Sequence, residues 1–517
     1  MNRAVAVARL KRERFDILVV GGGATGTGIA LDAATRGLRV ALVERSDFSA
    51  GTSSRSTKLI HGGVRYLERA VKEFDRGQLG LVRDALKERA VLLRIAPHLT
   101  RPLPLLTPLY GLFEIPYYFA GLKMYDLLAG KANLAPSRFL GRREATERFP
   151  MLKSSGLKGG VLYYDGQFDD ARMNISLALT ATQEGAVVAN HLAVSDLVKE
   201  GGRVRGVTLQ DRLSGESWET AATVVINATG PFADELRLLD DPNAARLLNT
   251  SSGIHVVLDK RFSPPETGLL IPQTEDGRVL FLLPWLGHTL IGTTDNPAPL
   301  SATPQASEDE VNYILRHVRK YFDLPVVEED VLASWSGLRP LVSDAGKAGT
   351  AGLVRDHLIA VSASRLLTIT GGKWTTYRKM ALDAVDRAVV VGELRSSGPS
   401  LTETMPLRGG AGYRPDAAVE LERGGLDAEV ARHLNRSYGD QAAEVARIAD
   451  KGYGERLVPG YPHIEAEVLY GAAFEMACTP EDILHRRTRL AFLNEKAAKE
   501  ALPRVRELLA MESTALS

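Results

Sequence analysis

Apolar residues in this chain come in short runs that stop at small ones. Asp16-Ile17-Leu18-Val19-Val20 runs into Gly21-Gly22-Gly23-Ala24-Thr25-Gly26-Thr27-Gly28, and a second run over 39–43 ends at Glu44. Thr223-Val224-Val225-Ile226-Asn227 ends in Ala228-Thr229-Gly230, and Arg365-Leu366-Leu367-Thr368-Ile369-Thr370 ends in Gly371-Gly372-Lys373. Runs of this length bounded by glycine predict strands of one sheet drawn from three separate segments, the last followed by a helix over about 375–390. Residues 255–258, 278–284 and 289–293 alternate as strands of a second, sheet-rich domain should. Ser396-Ser397-Gly398-Pro399-Ser400 reads as a linker, after which the pattern is helical to the end. Within that region Thr479-Pro480-Glu481-Asp482 is a helix start: a capping hydroxyl, proline in the first turn, then two acids facing the dipole.

The first run carries chemistry. Strand, glycine turn, helix and acid stand in the order of a dinucleotide-binding fingerprint. Gly21 makes the tight turn, Gly23 lets backbone approach a pyrophosphate, and Gly26 and Gly28 let the helix pack closely. The helix start supplies N–H donors to the phosphates. Glu44, roughly 20 residues on, suits the two ribose hydroxyls of an adenosine and its charge disfavours a 2′-phosphate. One domain interrupted by insertions from another fits a flavoprotein better than a simple nicotinamide dehydrogenase.

Composition narrows the partners. With 64 Lys and Arg against 63 Asp and Glu, the 517-residue chain has no global field to recruit nucleic acid or an anionic membrane. Its one cysteine, Cys478, rules out an internal disulfide and a cysteine-ligated cluster built by this chain alone, so redox chemistry calls for an organic cofactor, and no metal site is expected. Residues 1–14 are the reverse of a secretory signal, which makes an intracellular, reducing location the expectation. Residues 102–128 are dense in Leu, Tyr and Phe, but Pro104, Pro108, Gly111, Glu114, Pro116, Lys123 and Asp126 prevent one continuous membrane span. A core role and a role on a bilayer surface are both open for this segment.

Longer strings carry a resemblance. Thr52-Ser53-Ser54-Arg55-Ser56-Thr57-Lys58-Leu59-Ile60-His61-Gly62-Gly63-Val64-Arg65-Tyr66-Leu67 closely resembles the segment after the fingerprint in FAD-dependent glycerol-3-phosphate dehydrogenases, flavoproteins of the D-amino-acid-oxidase-like superfamily. So do Asn227-Ala228-Thr229-Gly230-Pro231, Ile291-Gly292-Thr293-Thr294-Asp295, Ser336-Gly337-Leu338-Arg339-Pro340-Leu341 and Gly371-Gly372-Lys373-Trp374-Thr375-Thr376-Tyr377-Arg378, in register over most of the chain. Thr25 stands where the family pattern often has Asn, and neither a calcium loop nor a cysteine-rich tail follows, so the likeness is to the plain bacterial form.

The resemblance implies an α/β fold: a Rossmann-like FAD-binding domain with an interleaved sheet-rich substrate domain and a C-terminal α-helical domain. The oxidoreductase region is expected at 14–395, with FAD-binding segments at about 14–95, 150–240 and 335–395 and substrate segments at about 96–149 and 241–334; the helical domain is expected at 401–517. It also implies oxidation of sn-glycerol 3-phosphate to dihydroxyacetone phosphate, hydride passing from C2 to flavin N5 and electrons to a membrane quinone. Such chemistry needs cations for a phosphate and a proton acceptor for the hydroxyl.

By resemblance Arg339 orients the hydroxyl or stabilises the ketone oxygen, and Arg65 holds the phosphate, with Tyr66, Lys373 and Thr375 beside it. Lys373 also faces the charge of the reduced flavin. His255 is the first candidate base and His61 the second, with His61 otherwise orienting the flavin. Gly21, Gly22, Gly23, Gly26, Glu44, Thr52, Ser53, Ser54, Ser56, His61, Gly63, Gly230, Gly372 and Lys373 are the expected cofactor contacts. The basic run His485-Arg486-Arg487-Thr488-Arg489 reads as a solvated helix face. The implied setting is cytoplasmic, peripheral on the inner face of the cell membrane, with homodimerisation an open expectation. Rival readings are an oxidase using oxygen, an amine or amino-acid oxidase of the same fold, and a nucleotide-binding regulatory protein.

Overall fold

The strand Phe15–Val20 is apolar and buried except at Asp16, as an inner strand of a parallel sheet should be. It pairs in parallel with Val40–Val43 on one side and Ser217–Asn227 on the other, and Leu367–Gly371 adds beyond the latter. The three segments expected to share a sheet therefore do, in the order His357–Val361, Leu367–Gly371, Ser217–Asn227, Phe15–Val20, Val40–Val43, Val187–Ala189. An antiparallel pair, Leu192–Glu200 and Arg203–Asp211, continues from the start of Ser217–Asn227. The fingerprint helix Ala24–Thr35 packs against Asp170–Gln183 and Tyr377–Gly392. These elements belong to a computed structural model that describes residues 1–64, 67, 75–272, 274–275, 277–342 and 357–515.

The alternating stretches form the second sheet. Its central strand, Leu248–Asp259, is flanked by His288–Gly292 and Val331–Val342, which places Ser251 opposite Arg339 and His255 between Gly292 and Trp335. Gly159–Phe168 and Val331–Val342 both pair in this sheet, so the expected FAD-binding segments 150–240 and 335–395 contribute strands to both layers. Residues 102–128 divide in two. Thr100–Leu109 is a strand with Leu105 and Leu106 fully buried, whereas the turn and helix that follow, Glu114–Ala129, leave Leu112 67%, Phe113 93% and Leu127 79% exposed. No helix among the described residues is long and apolar enough to cross a membrane.

The C-terminal region has its own apolar core, built from helices including Ala428–Tyr438, Glu465–Glu475 and Glu495–Ala515. Buried ion pairs dock it on the rest of the chain. Arg172 makes a bidentate contact with Glu475, and Asp47 accepts from both Arg486 and Arg487. Removing one partner of such a pair leaves an uncompensated charge and costs about 3–5 kcal/mol.

Candidate functional site

A cavity of about 870 Å³ runs between the two sheets. Its lining includes Glu44, Arg45 and Leu192, the glycine turn, residues of the loop 50–57, and His255 and Arg339. The turn is built by close packing. Gly21 has a φ of 111° and its carbonyl sits directly against Gly26, where any Cβ would collide with it. Gly23, Ala24 and Thr25 then present the helix start to the cavity. A cavity of this size lined by a helix amino terminus and a carboxylate fits a dinucleotide.

Glu44 borders the cavity as expected, but its carboxylate also serves the fold, accepting from Gly22 N at 2.7 Å and Ser46 N at 2.9 Å. Burial raises its pKa, against the pull of those two amides. Thr52, Ser53 and Ser56 line the wall, with Ser53 Oγ accepting from Ala24 N at 2.9 Å and Thr52 Oγ donating to Leu338 O at 2.5 Å. His61, Gly230, Gly372, Lys373 and Thr375 line it too, and His61 N donates to Thr375 Oγ at 3.4 Å. Gly22, Gly26, Ser54 and Gly63, also expected as cofactor contacts, are not among the residues that line the cavity. Arg65 and Tyr66 lie outside the described residues.

Arg339 and His255 line the same cavity. The Arg339 guanidinium is pinned by Asp295 Oδ1 at 3.1 Å, Thr293 Oγ at 3.0 Å and the carbonyls of Ser252 and Thr294. It crosses Gly253 so closely that a Cβ there would strike it, and Gly292 likewise makes room for the His255 ring. His255 is buried, stacks on Trp335 at 5.4 Å and 17°, and meets Thr57 Oγ at 2.9 Å through Nε2. Burial, then Lys58, then Arg339 hold its pKa well below the usual histidine range, so the ring is neutral at physiological pH.

Several residues at this site stand in strings given above but take their roles only in the fold. Asp295 lies in a quoted string, yet its role needs Arg339, 44 residues away, to be seen. Lys58 is fully buried against Asp170 at 2.6 Å and lies 5.3 Å from the Trp285 and Trp335 rings; burial lowers its pKa to about 7, against the pull of Asp170. Arg55 lines the cavity and donates to Ser336 O at 2.9 Å. The basic run at 485–489 corrects an expectation: it is not a solvated face. Arg486, Arg487 and Arg489 are buried at the domain junction because carboxylates far off in sequence, Asp47 and Asp170, sit there to receive them.

Comparison with known proteins agrees with this geometry. A family model described as FAD dependent oxidoreductase matches residues 16–378, and one described as the C-terminal domain of alpha-glycerophosphate oxidase matches residues 400–514. The mitochondrial glycerol-3-phosphate dehydrogenase of Mus musculus is 52% identical over 513 residues, spanning 96% of this chain and 70% of that protein. The mitochondrial enzyme of Arabidopsis thaliana is 46% identical over 533 residues, spanning 99% and 85%. Among solved structures, the glycerol-3-phosphate dehydrogenase from Bacillus halodurans complexed with FAD superposes with a TM-score of 0.79 at 32% identity, over 99% of this chain and 93% of that one.

Proposed function

Because the chain belongs to the FAD-dependent oxidoreductase family, we propose that it oxidises sn-glycerol 3-phosphate to dihydroxyacetone phosphate and passes the electrons to a membrane quinone. The observation that carries this reading is the pairing, on one cavity wall, of a pinned guanidinium and a buried neutral imidazole, Arg339 and His255. Near half identity to glycerol-3-phosphate dehydrogenases supports the choice of substrate. When bound, FAD supplies the hydride acceptor, its N5.

The chain's own residues do the rest. Arg339 cannot turn away from the substrate oxygen because Asp295 and Thr293 hold it from behind, so it meets the charge that develops there without reorganising. His255 takes the hydroxyl proton, and Thr57 orients its ring. Lys373, at the start of the turn Trp374–Thr376, adds a cation for the phosphate, with Thr375 beside it. Arg65 and Tyr66 join them on the resemblance alone. A doubly negative substrate beside Arg339 offsets that cation's effect on His255 and raises the ring's pKa back toward the ordinary histidine range in the complex, where the proton is taken.

Exposed Leu112, Phe113, Tyr117 and Leu127 support docking on a lipid surface, where a quinone is found, and hence a place on the inner face of the cell membrane. The C-terminal family match, whose description is that of an oxidase domain, supports oxygen as the second reading of the acceptor. Turnover with a soluble quinone analogue decides between them. Dihydroxyacetone phosphate formed one for one with reduced quinone is the expected result; stoichiometric peroxide without quinone reduction would reassign the acceptor, and no ketone product would refute the function.

A further inference from the structure

The helical domain reaches the redox site through Arg489. That residue sits in the left-handed region at φ 64°, which disfavours side chains, and contacts on every side keep it there. Its Nη2 donates to Ser54 O at 2.7 Å and its Nη1 to His485 O at 2.8 Å. The guanidinium lies 4.2 Å from the Phe492 ring and 3.5 Å from Asp170 Oδ1. Ser54 O also accepts from Lys58 Nζ at 2.8 Å, so two cations from different domains converge on one buried carbonyl.

Ser54 belongs to the loop that touches every working part of the site. Ser53 Oγ caps the fingerprint helix at Ala24, and Ser53 O accepts from Trp374 Nε1 at 2.8 Å. Arg55 reaches the strand that carries Arg339, and Thr57 meets His255. Asp170 holds the same loop by accepting from Ser56 N and Ser56 Oγ. Asp170 is buried and Asp169 half-buried beside Lys58 and Arg489. Losing Arg489 would leave Lys58 alone against two carboxylates and free one side of Ser54 O.

Resting on the site reading given above, we propose that Arg489 is a positioning residue: from the helical domain it fixes the loop 52–58 and so sets Thr57 against His255. The helical domain is thereby part of the redox site as well as a structural appendage.

The test uses the full-length, FAD-loaded protein and compares Arg489→Ala with Val505→Ala, which loosens the helical core without touching the loop. Arg489→Ala is expected to speed amide exchange in the peptide over 52–58, shift the visible flavin band and lower kcat about tenfold or more with little change in KM, since a displacement of about 1 Å at a reacting group costs up to roughly 10²-fold. Val505→Ala is expected to lower Tm and leave those three readouts alone. Exchange, band and kcat unchanged in Arg489→Ala, or changed as much in Val505→Ala, would overturn the proposal. If Arg489→Ala gives no folded protein, Arg489→Met, which keeps an apolar stem but drops both the donor to Ser54 O and the charge, is judged by the same readouts, and wild-type values in it would overturn the proposal too. The exchange measurement needs no substrate, so it fails or holds separately from the substrate assignment.

Discussion

Arg339 owes its place to a missing side chain. Gly253 lets the guanidinium lie flat across the central strand toward Thr293 and Asp295. Gly253→Ala is therefore expected to lower kcat/KM about tenfold or more while FAD stays bound, and Arg339→Ala about 10²–10³-fold, as for loss of one donor to a developing oxyanion. Stopped-flow flavin reduction measures both, and wild-type rates would remove Arg339 from the site. His255 gives a second expectation. With its pKa held well below the ordinary value, the acidic limb of kcat/KM should lie below the usual histidine range, and the limb of kcat, which reports the substrate complex, should lie higher. Coincident limbs near pH 6.5 would contradict the assignment. Arg339, His255 and Lys373 were legible in the sequence because each stands in a glycine-flanked string. Asp295, Thr57 and Lys58 gained their meaning only when strands distant in sequence were brought into register.

At the level of elements, periodicity and glycine punctuation identified the strands of the nucleotide sheet, and Asp482 N donating to Thr479 Oγ bears out the capped start at 479–482. The same reasoning misjudged the basic run, because charge spacing carries no information about Asp47, some 440 residues away. Residues 102–128 show both outcomes in one segment. Leu105 and Leu106 are core, and only the turn and helix beyond them offer apolar surface. Changing Leu112, Phe113 and Leu127 to Ser is expected to abolish co-sedimentation with phospholipid vesicles and to leave turnover with a water-soluble dye unchanged. Undiminished vesicle binding would sink the membrane role of this helix.

For the whole molecule, two sheets enclosing a cavity and a helical domain locked on by buried charges make stability depend on acid. Burial, then His433, lowers His463 to about 3, and burial, then Arg172, lowers His98 to about 3. Burial alone would raise Glu467, but His433 and His463 hold it near 2. All three take up protons in the unfolded chain at higher pH than in the folded one, so the stability they contribute is fully present above about pH 6.5 and is lost as pH falls toward 3. Urea midpoints at pH 7.5 and 4 check this, and equal midpoints would contradict it.

The central claim, a flavin site selective for a phosphorylated secondary alcohol, is tested most directly by the visible spectrum of the purified protein mixed anaerobically with sn-glycerol 3-phosphate and, separately, with glycerol. The expected result is bleaching of the oxidised-flavin band by the phosphate ester alone. A band unchanged by the ester, or bleached equally by glycerol, would contradict the account.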